Sequence, residues 1–188
     1  TVRGTVTAVD NVNLEIPMGI ILGIAGESGC GKTTLLKVIY GDITSPLALE
    51  QGIIEYGFWD QNREVVTSEN IREQWFKGIS YIPQSSMSSL NPVVRIRKQF
   101  VDFLDPKTNK AQVLEEIRAY IQKLDLPPEA IDAYPHQLSG GMRQRIMVAM
   151  GTFFRPDIIL ADEPTTALDV VVQKGILLLL MDIQEEMK

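Results

Sequence analysis

Only one cysteine, Cys30, occurs in the 188 residues, which excludes an internal disulfide and a cysteine zinc cluster. Histidine is as scarce. His136 stands alone, and a zinc site there would lack its other soft ligands. Positive charge is in deficit, with 18 Lys+Arg against 24 Asp+Glu and a net charge of -6. That balance argues against a nucleic-acid binder that works through a broad basic surface. Long apolar runs are missing too: the densest, Ile176–Met181, is far short of the roughly 18 residues a spanning helix needs. There is no internal repeat and no low-complexity segment, and the opening residues Thr1 to Thr5 show no charged-then-apolar signal pattern. What is present is 45% hydrophobic residues, enough for a sizeable core, and an ordinary 22% of charged ones. The expectation is a soluble cytosolic chain of one domain, or one domain with a small attached subdomain.

Hydrophobic patterning predicts short strands at Val6–Val9 and Val12–Ile16, with Asp10-Asn11 as their turn. Ile20–Ala25 is a short apolar run, expected as a strand buried on both faces. A helix is predicted from Lys32 to about Tyr40. Strand-like pieces follow at Gly52–Phe58, then a short helix from Ser68 to Phe76 and a strand at Ile79–Pro83. From Asn91 to about Phe154 the pattern is mostly helical. Val113, Ile117, Ile121 and Leu124 share one face, Pro127-Pro128 ends that segment, and Met142, Ile146, Ala149, Met150 and Phe153 repeat the pattern with Ser139 as N-cap. Asp157–Ala161 reads as a buried strand and Val170–Met187 as a helix. Strand, glycine loop, helix and a later strand ending in acids make an α/β plan with a parallel sheet. The expected division is residues 1–90 and 141–188 as two parts of one core, with 91–140 as an inserted helical subdomain.

Gly26-Glu27-Ser28-Gly29-Cys30-Gly31-Lys32-Thr33 fits G-x-x-x-x-G-K-[ST] at every fixed position. Phosphate oxygens must be met by backbone N–H groups at close range, and side chains would block that approach. The helix opening at Lys32 aims its N-terminal N–H groups and positive dipole end at an anion. Lys32 can reach the β and γ phosphates, and the Thr33 hydroxyl can ligate Mg²⁺. Thr34 completes the candidate phosphate-binding run. A chance match would arise in roughly one chain in a hundred of this length, and here a strand pattern precedes the loop and a helical one follows.

Ile158-Ile159-Leu160-Ala161-Asp162-Glu163-Pro164 is an apolar strand that runs into two carboxylates. Asp162 is placed to hold Mg²⁺ through water, and Glu163, one residue on, to orient or deprotonate a water. A solvated loop after a core strand would explain the acids equally well if the phosphate loop were absent.

Leu138-Ser139-Gly140-Gly141-Met142-Arg143-Gln144-Arg145 resembles the signature of ATP-binding-cassette (ABC) transporter ATPases. The phosphate loop, Gln84 at the Q-loop place, the signature, the acidic strand and Ala167-Leu168-Asp169 follow in the family's order, so the resemblance covers essentially the whole chain. Gln84 to Pro92 (QSSMSSLNP) and Tyr134-Pro135-His136-Gln137 resemble, more narrowly, the ATPases of dipeptide and oligopeptide importers, a subfamily that includes nickel and oligosaccharide importers.

The resemblance implies a P-loop NTPase-type, mainly parallel sheet flanked by helices, with a small antiparallel β part. It implies ATP and Mg²⁺ as cofactors, with Glu163 and Gln84 catalytic, and Thr33, Gln84 and Asp162 at the metal. It implies a head-to-tail dimer enclosing two ATPs, where Ser139, Gly140, Gly141 and Asp169 meet the nucleotide of the other subunit. Permease subunits would be contacted through the Q-loop region, at the cytoplasmic face of the cell membrane. The implied function is ATP hydrolysis that powers an importer, first of all for di- or oligopeptides, and nucleic acid is not an expected partner. An ATP-driven switch protein outside transport is the alternative, but the interval from Lys32 to Leu138 shows no sustained heptads for the coiled coil that a DNA-repair relative needs. The family's adenine-stacking aromatic would precede Thr1 and its switch histidine would follow Lys188. The chain is therefore expected to be a fragment of a longer protein, poorly active by itself.

Overall fold

Helices close their hydrogen bonds within a few residues, whereas strands need a partner from elsewhere in the chain, and the two kinds of prediction fare accordingly. The computed structural model describes residues 4–57, 66–67, 70–84, 89–166 and 168–187, and for 66–67 the backbone only. It falls into a first unit up to Trp75 and a second from Phe76 to Met187.

In the first unit, α1 spans Lys32–Tyr40, as predicted. Gly41 caps its C-terminus in the left-handed conformation, its N–H donating to the carbonyls of Lys37 and Val38. The Tyr40 ring stacks on Trp75 with centroids 4.7 Å apart, and Trp75 Nε1 donates to the Tyr40 carbonyl at 2.9 Å. Burial pushes the Tyr40 phenol up to about 12. The antiparallel part is the pair β1 (Glu55–Tyr56) and β2 (Val66–Thr67). Of the predicted piece Gly52–Phe58, only Glu55–Tyr56 is strand, and Phe58 lies outside the described residues. The predicted helix start Ser68 also lies outside them, and the segment forms a 3-10 turn at Ile71–Gln74 instead.

The predicted strands at Val6–Val9, Val12–Ile16 and Ile20–Ala25 do not form. The last was expected to be buried on both faces, yet Ile21 is 59% exposed and Leu22 43%. The physical reason is pairing: no described ladder includes these residues, and an apolar run without a hydrogen-bonding partner has nothing to hold it extended.

The second unit is built on a parallel pair, β3 (Ile79–Ile82) with β4 (Ile158–Ala161), in the register Ile79 to Ile158 and Ile82 to Ala161. Between them run α2 (Ile96–Val101), α3 (Lys110–Lys123), 3-10 turns at Pro128–Asp132 and Pro135–Gln137, and α4 (Gly140–Thr152). After β4 comes α5 (Val170–Met187). Helix α4 is buried from Ile146 to Thr152. The Ser80 hydroxyl donates to the Gly151 carbonyl at 2.5 Å and ties α4 to β3. The predicted face of α3 is inside, with Ile117 and Ile121 fully buried. Arg145 of α4 donates to the Leu124 carbonyl at 2.8 Å and to Asp125 at 2.9 Å, at the end of α3. Arg118 donates to Asp132 at 2.7 Å and holds the first 3-10 turn against the same helix. His136 is exposed and stacks on Tyr134, with centroids 5.5 Å apart.

Candidate functional site

The phosphate loop gets its shape from backbone conformation. Gly31 is the N-cap of α1 at φ 98, a conformation that other residues rarely adopt, and a Cβ there would come within 2.5 Å of the Ala8 carbonyl oxygen. Gly31 offers no side chain to cap the helix, so the first turn of α1 keeps its affinity for an anion. Lys32 Nζ bends back over the loop and donates to the Gly26 carbonyl at 2.8 Å and the Glu27 carbonyl at 2.9 Å. A cavity of about 260 Å³ adjoins the loop, lined by Cys30, Gly31 and Lys32 with Val9, Asp10 and Ile24 among others. Two left-handed glycines (Gly29 as well as Gly31), a lysine over the loop and a helix N-terminus are a donor set suited to phosphate. Ser28, Thr33 and Thr34 sit in the same loop and first turn.

The acidic strand end lies in the second unit. Asp162 continues the sheet, its N–H donating to the Ile82 carbonyl at 2.9 Å. The residue is only 3% exposed, and its Oδ2 accepts a hydrogen bond from the Tyr81 hydroxyl at 2.8 Å. Glu163 turns the chain outward. Its φ of 44 is left-handed, which costs a non-glycine residue roughly 1–3 kcal/mol and marks a constrained position. Two donors meet at its Oε2, the Gln84 side-chain amide at 2.7 Å and the Thr166 hydroxyl at 2.9 Å. The loop that follows is braced from α5, where Gln173 donates to the carbonyls of Thr165 at 3.2 Å and Leu168 at 3.1 Å. Sheet register brings Gln84 onto Glu163, with Asp162 beside it in the chain. It adds Tyr81 and Thr166, which the sequence reading did not single out. The available signals were a phenol in an otherwise small and aliphatic strand, and a hydroxyl three residues after Glu163.

The signature residues form a third cluster. Ser139 caps α4, its hydroxyl accepting from the Met142 N–H at 3.2 Å. Asp169 caps α5, accepting from Val171 and Val172 at 3.1 and 3.0 Å. Gly140 and Gly141 are half-buried. A Cβ on Gly141 would come 3.2 Å from Val172, so close packing against α5 already accounts for that glycine. At Gly140 a Cβ would meet nothing within 4 Å. Packing thus sets Gly141, at the start of α4, against the first turn of α5, which Asp169 caps. Ser85 to Ser88 and Ala167, which belong to the narrower resemblance and the last motif, lie outside the described residues. Among the described residues, no group of three or more His, Cys, Asp or Glu side chains is arranged to hold a metal.

Residues 9–166 match the ABC transporter family. The chain is 36% identical over 95% of its length to the dipeptide transport ATP-binding protein DppD of Haemophilus influenzae. It is 37% identical over 99% of its length to the oligopeptide transport ATP-binding protein OppD of Escherichia coli. It spans about half the length of these relatives, 55% and 56% respectively. Among solved structures, the dimeric cassette MJ0796 matches with a TM-score of 0.72 and 26% identity over 95% of this chain and 75% of that one. The same cassette in a post-hydrolysis state with ADP and Pi matches with a TM-score of 0.68 and 27% identity, over the same shares of the two chains. The expected P-loop NTPase-type fold, with its parallel strands, is thereby established.

Proposed function

Because the chain belongs to the ABC transporter family, we propose that it binds and hydrolyses ATP as part of a subunit that powers an importer of di- or oligopeptides. The observation that carries the chemistry is the meeting of Gln84 and Thr166 on one oxygen of Glu163, beside the buried Asp162. Peptide as cargo rests on relatives named for dipeptide and oligopeptide transport.

In this reading Gly26 to Thr34 hold the triphosphate, with backbone N–H groups and Lys32 taking the negative charge that grows at the γ-phosphate. Thr33, Gln84 and Asp162 offer hydroxyl, amide and carboxylate oxygens. That hard donor set suits Mg²⁺, which keeps several waters and needs few protein ligands. When bound, Mg²⁺ would neutralise phosphate charge. Glu163 acts as the base toward the attacking water, and Gln84 and Thr166 keep its carboxylate from rotating. Residues 91–140 act as the helical subdomain that presents the signature. Ser139, Gly140, Gly141 and Asp169 face the nucleotide of a second subunit, and the open position at Gly140 suits close approach by a phosphate from outside. The Q-loop region docks on permease subunits at the cytoplasmic membrane face. No described helix is long and apolar enough to cross a membrane.

The test is phosphate release by the full-length subunit, alone and reconstituted with its permease partners in vesicles. Turnover stimulated by di- or oligopeptides is the expected result. Turnover indifferent to permease and peptide would refute the transport assignment.

A further inference from the structure

Tyr81 lies on β3 between the buried residues Ser80 and Ile82. Successive side chains of a strand point to opposite faces. Ser80 reaches α4 through the Gly151 carbonyl, so Tyr81 faces the other side of the sheet. The parallel register sets Tyr81 opposite Leu160, and Asp162, two residues on, returns to that same face. The phenol thus needs no distortion to reach the carboxylate, and its hydroxyl donates to Asp162 Oδ2 at 2.8 Å. Asp162 has lost nearly all its contact with water, and a carboxylate in that position must find its donors in the protein.

We propose that Tyr81 is the positioning residue for the metal-binding carboxylate of Asp162, a role that rests on the reading of Asp162 given above. A carboxylate has about four lone-pair sites. A donor fixed on one of them sets the plane of the group and presents the remaining sites in one orientation. The donor is neutral. A lysine or arginine in its place would hold the carboxylate as firmly but would repel a divalent cation, whereas a phenol orients without adding charge. A hydrogen-bonded partner of this kind is what gives a ligating carboxylate its affinity as well as its direction. Glu163 has its own donors in Gln84 and Thr166, so the two acids are held separately, each from a different point of the segment 81–84 or the loop after β4.

The experiment uses the full-length protein with Tyr81→Phe, Asp162→Asn and the double variant. Phenylalanine removes one oxygen and keeps the packing volume of the ring. Binding of Mn²⁺ in the presence of ADP is followed by electron paramagnetic resonance, and ADP affinity without metal is measured by calorimetry. Tyr81→Phe is expected to weaken Mn²⁺ binding about tenfold, with metal-free ADP affinity unchanged, and to add nothing once Asp162 is Asn. Parent Mn²⁺ affinity in Tyr81→Phe, with a loss in Asp162→Asn, would overturn the role of Tyr81 and leave Asp162 as the ligand. An equal loss of metal-bound and metal-free affinity in Tyr81→Phe would make Tyr81 a purely structural residue. Unchanged Mn²⁺ binding in Asp162→Asn would overturn the underlying reading.

Discussion

In the first unit, the consecutive residues Gly26–Thr33 form a loop shaped by backbone conformation. In the second, Tyr81 with Asp162 and Gln84 with Glu163 form a site from side chains 81 and 79 positions apart. The phosphate loop needs only unhindered N–H groups and the right φ angles, and neighbouring residues supply both. The acidic site needs oxygens at fixed separations, which only paired strands can hold. The contrast extends to burial. Residues 4–30 are mostly exposed, whereas Asp162 is enclosed and β3 is buried at three of its four positions. One site is a local conformation and the other a product of packing, so substitutions should damage them in different ways.

The largest effect is expected from Glu163→Gln in the full-length protein. Removing the base should slow steady-state phosphate release by on the order of 10²–10⁴-fold while ATP still binds, because the phosphate loop is untouched. Parent turnover would move the base to another residue. Next comes Gly31→Ala, which attacks the loop. It forces a side chain into a left-handed conformation and against the Ala8 carbonyl, at roughly 1–3 kcal/mol of strain. Calorimetry should show at least a tenfold loss of ATP affinity, and the thermal transition of the second unit should not shift. A loss of both together would blur the distinction between the two regions.

Smaller effects separate the two signature residues. Ser139→Ala removes the cap of α4 and should cost about 1 kcal/mol of stability in chemical denaturation. Gly140→Ala meets open space and should leave stability the same or slightly raised, yet lower hydrolysis by the assembled full-length dimer. An unchanged rate would remove the reason for placing a second subunit's nucleotide there. The smallest effect is a pH dependence confined to the second unit. The hydrogen bond from Arg118 holds the Asp132 carboxyl below its ordinary value of 3.8. A folded-state value below the unfolded one means that its stabilisation is complete above the ordinary carboxylate range. It is lost as pH falls below 3.8 and through the folded value. Asp132→Asn should flatten the acid limb of the denaturation curve and leave the neutral midpoint slightly lower. An unaltered acid limb would show that other carboxylates govern it.

Several elements were legible in the sequence because their causes are local. The bounds of α1 and α5 follow from apolar spacing and end signals, and Ser139 was readable as an N-cap from its place before an apolar-periodic run. The loop at Gly26–Thr33 was legible for the same reason, since the conformation of Gly31 and the hydrogen bonds of Lys32 are set within a few residues. Strand predictions divided by partner. Asp157–Ala161 and Ile79–Pro83 became β4 and β3, each trimmed by one residue, because each found the other. Ile20–Ala25, the more apolar run, found no described ladder and stayed irregular.

By itself the sequence determined the family motifs, their order, the helices α1 and α5 and the identities of Lys32, Gln84, Asp162, Glu163, Ser139 and Asp169 as candidates. Tertiary structure alone decided that Tyr81 meets Asp162, that Thr166 and Gln84 meet the same oxygen of Glu163, and that Gly141 is spent on packing while Gly140 is open. The physical reason is range. Backbone conformation and capping are settled by the nearest few residues, whereas the direction of a carboxylate depends on the register of two strands whose partners lie some eighty positions apart.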